Sequence, residues 1–454
     1  MTTLQIANYD QIVANNKPYV VNKTPSDSGV FTASKVNPQS IIIPPLNADI
    51  KFTAVLPSLT ANEYPGFRGI EEKAIPENFN WRQNGDPKKR ANITKPPNQM
   101  LCGSCWAVAS ATIISDNFVV SGLTKGNPQI SVTYILACPD TKQNQCKGGN
   151  PALLMQTLGS GKELVTKRCI DYSWCGSNSV CNGSAKGHFQ AESMNISQLI
   201  PPCGCYTDIE HILYFIKDTS KTVNATSQDD LKVIKHHIMN VGPVLAGFIV
   251  FRNFMNGNFA KNKSQEGVYI ETGEYSSPEN FIIGDNSQTQ SGNFIGSHAI
   301  SILGWGITKN EIITGKDSSG KITKSRVPFW YCRNSWNAKG RPAWGDGGYF
   351  KIAMYPFNKT SVLERVVTVN GAQSGGIILI DPKDFTTSTK LPVLDPAYLK
   401  NITKPKSFYE TDPKPSSDYS PGKKAGIAIG VIVGIIVLVV IIVLAVVLSK
   451  KRKN

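Results

Sequence analysis

Apolar positions are grouped unevenly along this chain. Between residues 76 and 378, some stretches repeat them at helical spacing and others gather them into short runs. Residues 105–121 place Trp106, Ala109, Ile113 and Ile114 three to four apart, and 228–240 read as an amphipathic segment; both predict helices. The apolar runs at 243–251 and 298–304 predict buried strands. One folded α+β unit over 76–378 is therefore expected. Residues 1–75 are polar and turn-rich, with Pro38, Pro44, Pro45, Pro57 and Pro65, and open without a basic or apolar leader. They read as an N-terminal extension and a candidate prosegment, not as a secretory signal. Residues 379–424, rich in Pro, Lys, Ser and Thr, predict a linker. Residues 425–448 are 24 uncharged apolar positions. As a helix they rise about 36 Å, enough to cross about 30 Å of hydrocarbon with tilt. They predict a single membrane span, with contact to lipid, ahead of a basic tail at 449–454.

Composition narrows the class. The chain has 454 residues, is 41% hydrophobic and carries a net charge of +15, so it is globular and not disordered. The lysines are spread along it. They suit either a generally Lys-rich chain or a basic surface for anionic lipid. No arginine-rich arm or aromatic-basic repeat argues for nucleic acid. Seven of the ten cysteines lie between Cys102 and Cys181, with Cys203, Cys205 and Cys332 beyond. That density predicts disulfides and an oxidising compartment. The alternative is zinc, but Cys102 and Cys105 form a C-x-x-C with no second pair behind it.

Chemistry enters at residues 97–116, P-N-Q-M-L-C-G-S-C-W-A-V-A-S-A-T-I-I-S-D. Gly103 permits a tight turn, and Cys105 then opens the predicted helix. Unpaired N–H groups and the helix dipole there favour a thiolate, so a lowered thiol pKa is expected. The alternative is a structural, disulfide-bonded Cys105. A thiolate nucleophile needs a base and a group that orients it. The histidines are His188, His211, His236, His237 and His298. His236 and His237 read as surface or packing residues of a helix, and His188 and His211 fall in a polar, cysteine-rich insertion. His298 opens the buried-looking S-H-A-I-S-I-L-G-W-G. Asn334, in R-N-S-W, can accept its N–H and fix the tautomer, with Trp336 covering the bond.

These stretches resemble the papain family of cysteine proteases. The motifs are Q-x-x-C-G-S-C-W at 99–106, C-x-G-G-x-P at 146–151, S-H-A-x-x-x-L-G-W-G at 297–306, R-N-S-W at 333–336 and W-G-D-x-G-Y-F at 344–350. I-P-E-N-F-N-W-R at 75–82 resembles the start of a mature domain of this type. Within the family the sequence looks most like cathepsin B. The resemblance implies a two-subdomain fold, one helical and one β-barrel-like, with the active site in the cleft between. It implies a thiol endopeptidase acting on protein or peptide substrates through an acyl-enzyme, with no metal or organic cofactor. Cys105 would be the nucleophile, His298 the base and Asn334 its orienting group. Gln99 and the Cys105 N–H would form the oxyanion hole. Gly148 and Gly149 would meet the substrate backbone, while Gly247, Ala299, Trp336 and Arg365 would line the cleft near the substrate. The resemblance also pairs Cys102 with Cys146. Cys175 and Cys181 could close a short loop, two bridges would form among Cys138, Cys169, Cys203 and Cys205, and Cys332 would stay a free thiol.

Some features depart from the family. The 36 positions from His298 to Asn334 leave room for a polar insertion at 310–326. Residues 169–205 stand where cathepsin B has its occluding loop but hold only His188, so carboxydipeptidase activity is not expected. A binding or adhesion protein on a vestigial protease scaffold is the competing reading, against which stands the intact set Cys105, His298, Asn334 and Gln99. The cysteines and basic tail favour an external or lumenal protease domain, although a span so near the end of the sequence resembles a tail anchor.

Overall fold

The computed structural model describes residues 61–395 except 65–66, 72–73, 139–142, 144, 178–180, 182–195, 219, 224–226, 256, 272–293, 337–342, 355–365 and 370–371, together with the short strands Tyr19–Val20 and Ile42–Ile43. Four helices matter for the site: α1 Cys105–Val120, α2 Val132–Ala137, α3 Pro151–Gly159 and α4 Gln228–Asn240. The strands are β1 Phe79–Asn80, β2 His211–Ile216, β3 Lys221–Val223, β4 Val244–Phe251, β5 Val268–Tyr269 and β6 Phe294–Ile307. They continue with β7 Ile312–Lys316, β8 Ile322–Ser325, β9 Pro328–Arg333, β10 Tyr349–Ala353, β11 Ile377–Leu379 and β12 Pro382–Ser388.

An eight-stranded sheet runs β3–β11–β4–β6–β9–β10–β5, and β1 also pairs with β6. Its core gathers Val244, Phe248, Ile302, Trp305, Trp330 and Phe350 with Val233, Ile234 and Ile238 of α4. The second core surrounds α1 with residues of α2 and α3, among them Ile113, Phe118, Ile135, Leu154 and Leu158. Two subdomains, one helical and one a sheet, therefore pack side by side. All 16 residues of α1 are buried. Its polar residues survive burial because they bond locally: Ser110 and Ser115 each donate at 2.7 Å to the carbonyl four residues back. α4 opens on a capping box between Ser227 and Asp230.

Four disulfides join Cys102–Cys146, Cys138–Cys203, Cys169–Cys205 and Cys175–Cys181. Their sulfurs are therefore not zinc ligands. Cys105 and Cys332 are free and buried. The polar insertion at 310–326 contains the hairpin β7–β8, turned by Asp317, whose Oδ1 accepts from the N–H groups of Ser319 and Lys321.

Structure is also described on both sides of the 76–378 unit. Ahead of residue 76, Ala61 and Ile70 are buried, and Tyr64 meets the rings of His236 and His237 edge-on. Past 378, β12 pairs antiparallel with β2 where open linker was expected. Beyond it, the Leu394 N–H donates to the Cys205 carbonyl. Among the described residues no helix is long and apolar enough to cross a membrane; residues 425–448 lie outside them.

Candidate active site

Cys105 is the first residue of α1, 3% exposed. Ser104 takes the N-cap position, but its side chain caps no backbone N–H. Burial pushes the Cys105 thiol up to about 11, against the N–H groups of Ala299, Trp106 and Cys105 itself, which favour the thiolate. Burial therefore works against the lowering expected from the helix terminus, to which the N–H groups contribute.

His298 lies in β6 opposite Phe248 of β4, with Gly247 opposite Ala299. The ring is 2% exposed. Its Nε2 donates to Asn334 Oδ1 at 2.7 Å, taking the tautomer in which that nitrogen carries the proton. Its Nδ1 is buried without a hydrogen bond. Trp336 stacks on the ring at 4.4 Å, and Phe248 meets it at 6.2 Å. Asn334 follows β9 directly, and its Oδ1 also accepts from the Ser335 N–H at 2.7 Å. Burial pushes the His298 imidazole down to about 4, opposed by the bond to Asn334. The two shifts share one origin, because charge on either group alone is costly in a dry cleft. Charges of opposite sign formed on both groups together would attract, and that attraction would offset the cost.

Gln99 is buried beside this pair. Its Nε2 donates to the Cys102 carbonyl at 3.0 Å, its Oε1 accepts from Ser335 Oγ at 2.5 Å, and its N–H donates to the Ser335 carbonyl. The amide is thus turned with its NH₂ towards the nucleophile loop. Gly148 adopts φ +119°. A Cβ on Gly149 would fall 2.5 Å from the Trp106 ring, so packing on the nucleophile helix demands glycine there. A Cβ on Gly247 would meet nothing closer than the His298 carbonyl at 3.7 Å, which leaves open space beside Ala299. The structure brings together Cys105, His298, Asn334, Gln99, Ala299, Gly247 and Trp336, with Gly149 against Trp106. Arg365 lies outside the described residues.

Sequence reasoning missed three supporting residues. Arg333 donates to Asp116 Oδ2 at 2.6 Å, both side chains being at most 1% exposed. It also donates to the Thr94 carbonyl and Ser301 Oγ. This joins α1, which carries the nucleophile, to the strand end that carries Asn334. Tyr172, in the cysteine-rich insertion, bonds the Gln99 carbonyl. Asp116 and Arg333 stand at the edges of the quoted motifs; nothing in the sequence marks Tyr172.

A buried thiol at a helix start, beside a histidine oriented by an asparagine, is the arrangement of a cysteine protease. The chain matches the papain family cysteine protease profile over residues 75–369 and belongs to that family. A probable cysteine proteinase of Invertebrate iridescent virus 3 is 38% identical over 378 residues, 77% of this chain and 72% of its own. A cathepsin B-like cysteine proteinase of Schistosoma japonicum is 26% identical over 291 residues, 61% of this chain and 68% of its own. Procathepsin B S9 from Trypanosoma congolense superposes with a TM-score of 0.43 at 19% identity, covering 78% of this chain and 92% of that one.

Proposed function

We propose that this papain-family protease is a membrane-anchored endopeptidase working through Cys105 and His298. The observation that carries the mechanism is the 2.7 Å bond from His298 Nε2 to Asn334, which leaves buried Nδ1 as the nitrogen able to take a proton. The Cys105 proton passes to Nδ1, and the thiolate attacks the scissile carbonyl. Negative charge on the carbonyl oxygen meets the Gln99 NH₂ and the Cys105 N–H. His298 then gives its proton to the departing amine, leaving a thioester on Cys105. Water, deprotonated by His298, releases the acid and restores the thiol. Gly148 and Gly149 border the substrate backbone, and Gly247 and Ala299 form the pocket for the second residue before the cut, to which the family resemblance also assigns Arg365. Trp336 shields the histidine. Peptide hydrolysis by the purified chain tests this: activity lost in Cys105→Ala supports it, and activity retained there contradicts it.

Anchoring rests on the 24 apolar positions at 425–448. Four disulfides suit a domain on the external or lumenal side. The full chain is expected to stay in membranes through alkaline carbonate extraction, and a chain ending at residue 424 to be released. Digestion of the domain by protease added to the cytosolic face would contradict the orientation.

A further inference from the structure

The loop from Gln99 to Ser104 carries one donor proposed for the oxyanion hole and ends at the nucleophile. It is tightly bent: Met100 sits at φ +56°, in the left-handed region that disfavours a residue with a Cβ. Such a loop keeps its shape only if its surroundings hold it. Part of that support comes from the helical subdomain's own frame, the Cys102–Cys146 bridge, and part from Ser335 across the cleft.

The rest comes from the cysteine-rich insertion. The Tyr172 hydroxyl lies 3.1 Å from the Gln99 carbonyl and 2.8 Å from Ser104 Oγ. The carbonyl can only accept, so Tyr172 donates to it and Ser104 donates to Tyr172. One hydroxyl therefore ties the first residue of the loop to the last. A second tie lies between them, where the Leu101 N–H donates to the Cys181 carbonyl at 3.0 Å. The Cys175–Cys181 bridge fixes Cys181 a short distance along the chain from Tyr172. Tyr172 is itself set by Trp174, whose ring meets it edge-on at 5.2 Å and whose Nε1 donates to Thr133 Oγ1 of α2.

We propose that Tyr172 is a positioning residue for the oxyanion hole, its hydroxyl holding Gln99 in place through the 99–104 loop. This rests on the oxyanion role given to Gln99 above. The hydrogen bonds of Tyr172 go to Gln99 and Ser104 and not to Cys105 or His298, although its hydroxyl lies near enough to Cys105 for their charges to interact. Its loss should therefore weaken stabilisation of the developing oxyanion and leave thiol reactivity alone.

The test is a double-mutant cycle in the full chain with Tyr172→Phe and Gln99→Ala, read as kcat and KM on a peptide substrate. Two further readings are the inhibition constant of a peptide aldehyde, whose hemithioacetal oxygen occupies the hole, and the rate of alkylation by iodoacetamide, which needs no hole. Gln99→Ala is expected to lower kcat about 100-fold, the scale of one lost donor, and Tyr172→Phe about tenfold with KM within twofold. Aldehyde binding should weaken by the same factor as kcat, with alkylation unchanged. In the Gln99→Ala background, Tyr172→Phe should cost less than twofold. Equal losses in both backgrounds, an unchanged kcat in Tyr172→Phe alone, or a matching fall in alkylation would overturn the proposal and leave the Gln99 reading standing. An unchanged kcat in Gln99→Ala would instead sink that reading, and this inference with it. If Tyr172→Phe fails to fold, Ser104→Ala removes the hydroxyl's own donor. It should give a loss of about threefold with the same signature, and wild-type kcat there would overturn the proposal.

Discussion

At the scale of single residues, groups that exchange protons or bonds differ from groups that hold them. In the proposed mechanism Cys105 and His298 do the first and Asn334 the second. Cys105→Ala and His298→Ala are each expected to lower kcat/KM by about 10³-fold or more, while Asn334→Ala keeps measurable activity. Steady-state peptide hydrolysis checks this, and full activity in His298→Ala would remove the base from the scheme. Gly149 answers to a different demand. Its α-hydrogen packs on Trp106, where a methyl would fall 2.5 Å from the ring. Gly149→Ala should therefore disturb the first turn of the nucleophile helix, lowering both melting temperature and kcat, with overpacking costing about 1–3 kcal/mol. A stable, fully active variant would show that the loop gives way freely.

At the scale of elements, the buried ion pair between Asp116 and Arg333 is a polar tie between the two halves of the site. Asp116 lies three turns along α1 from Cys105, and Arg333 ends β9 one residue before Asn334. Asp116 also accepts from the Thr94 N–H at 2.7 Å and hydroxyl at 2.6 Å. Asp116→Asn leaves a buried guanidinium without its counter-charge. It is expected to cost about 3–5 kcal/mol, measured by denaturant unfolding, because desolvation is no longer compensated. A change under 1 kcal/mol would mean that the pair is not structural.

This element shows the reach of the sequence. Helix α1 and strands β4 and β6 were legible because burial leaves a periodic signature. The convergence of Cys105, His298, Asn334 and Gln99 on one place was legible from the motifs around them. The partnership of Asp116 with Arg333 spans 217 positions, and a polar pair made by folding leaves no period in the chain. Strand β12 was hidden for a related reason: Phe385 is the one large apolar residue in P-K-D-F-T-T-S, so its composition reads as linker. Tyr172 was hidden among cysteines that drew attention to disulfides, and its role belongs to one oxygen atom. The helix terminus at Cys105 is visible in sequence, whereas the burial that opposes its effect on the thiol is not.

At the scale of the whole molecule, buried histidines make stability depend on pH. Burial holds His298 and His237 neutral, each pushed down to about 4 from an ordinary value of 6.5. For His237, Asp381 and a bond to the Ile380 backbone oppose the shift, and His236 adds to it. Below pH 6.5 the unfolded chain takes up these protons while the folded chain does not. Stability is therefore lost as pH falls from 6.5 to 4, by about 3 kcal/mol per histidine, and is flat above that window. Urea unfolding between pH 4 and 8 should show this slope, and His237→Gln should make it shallower. A slope of opposite sign would mean that the histidines are charged in the folded protein.

The central claim, that Cys105 is a nucleophile served by His298, is tested most directly by labelling the full chain with a peptidyl epoxide and mapping the adduct by mass spectrometry. The account predicts one adduct per chain on the peptide containing Cys105, formed rapidly in the wild type, slowed by about 100-fold or more in His298→Ala and absent in Cys105→Ala. An adduct on Cys332, or labelling of Cys105 at the same rate without His298, would contradict it.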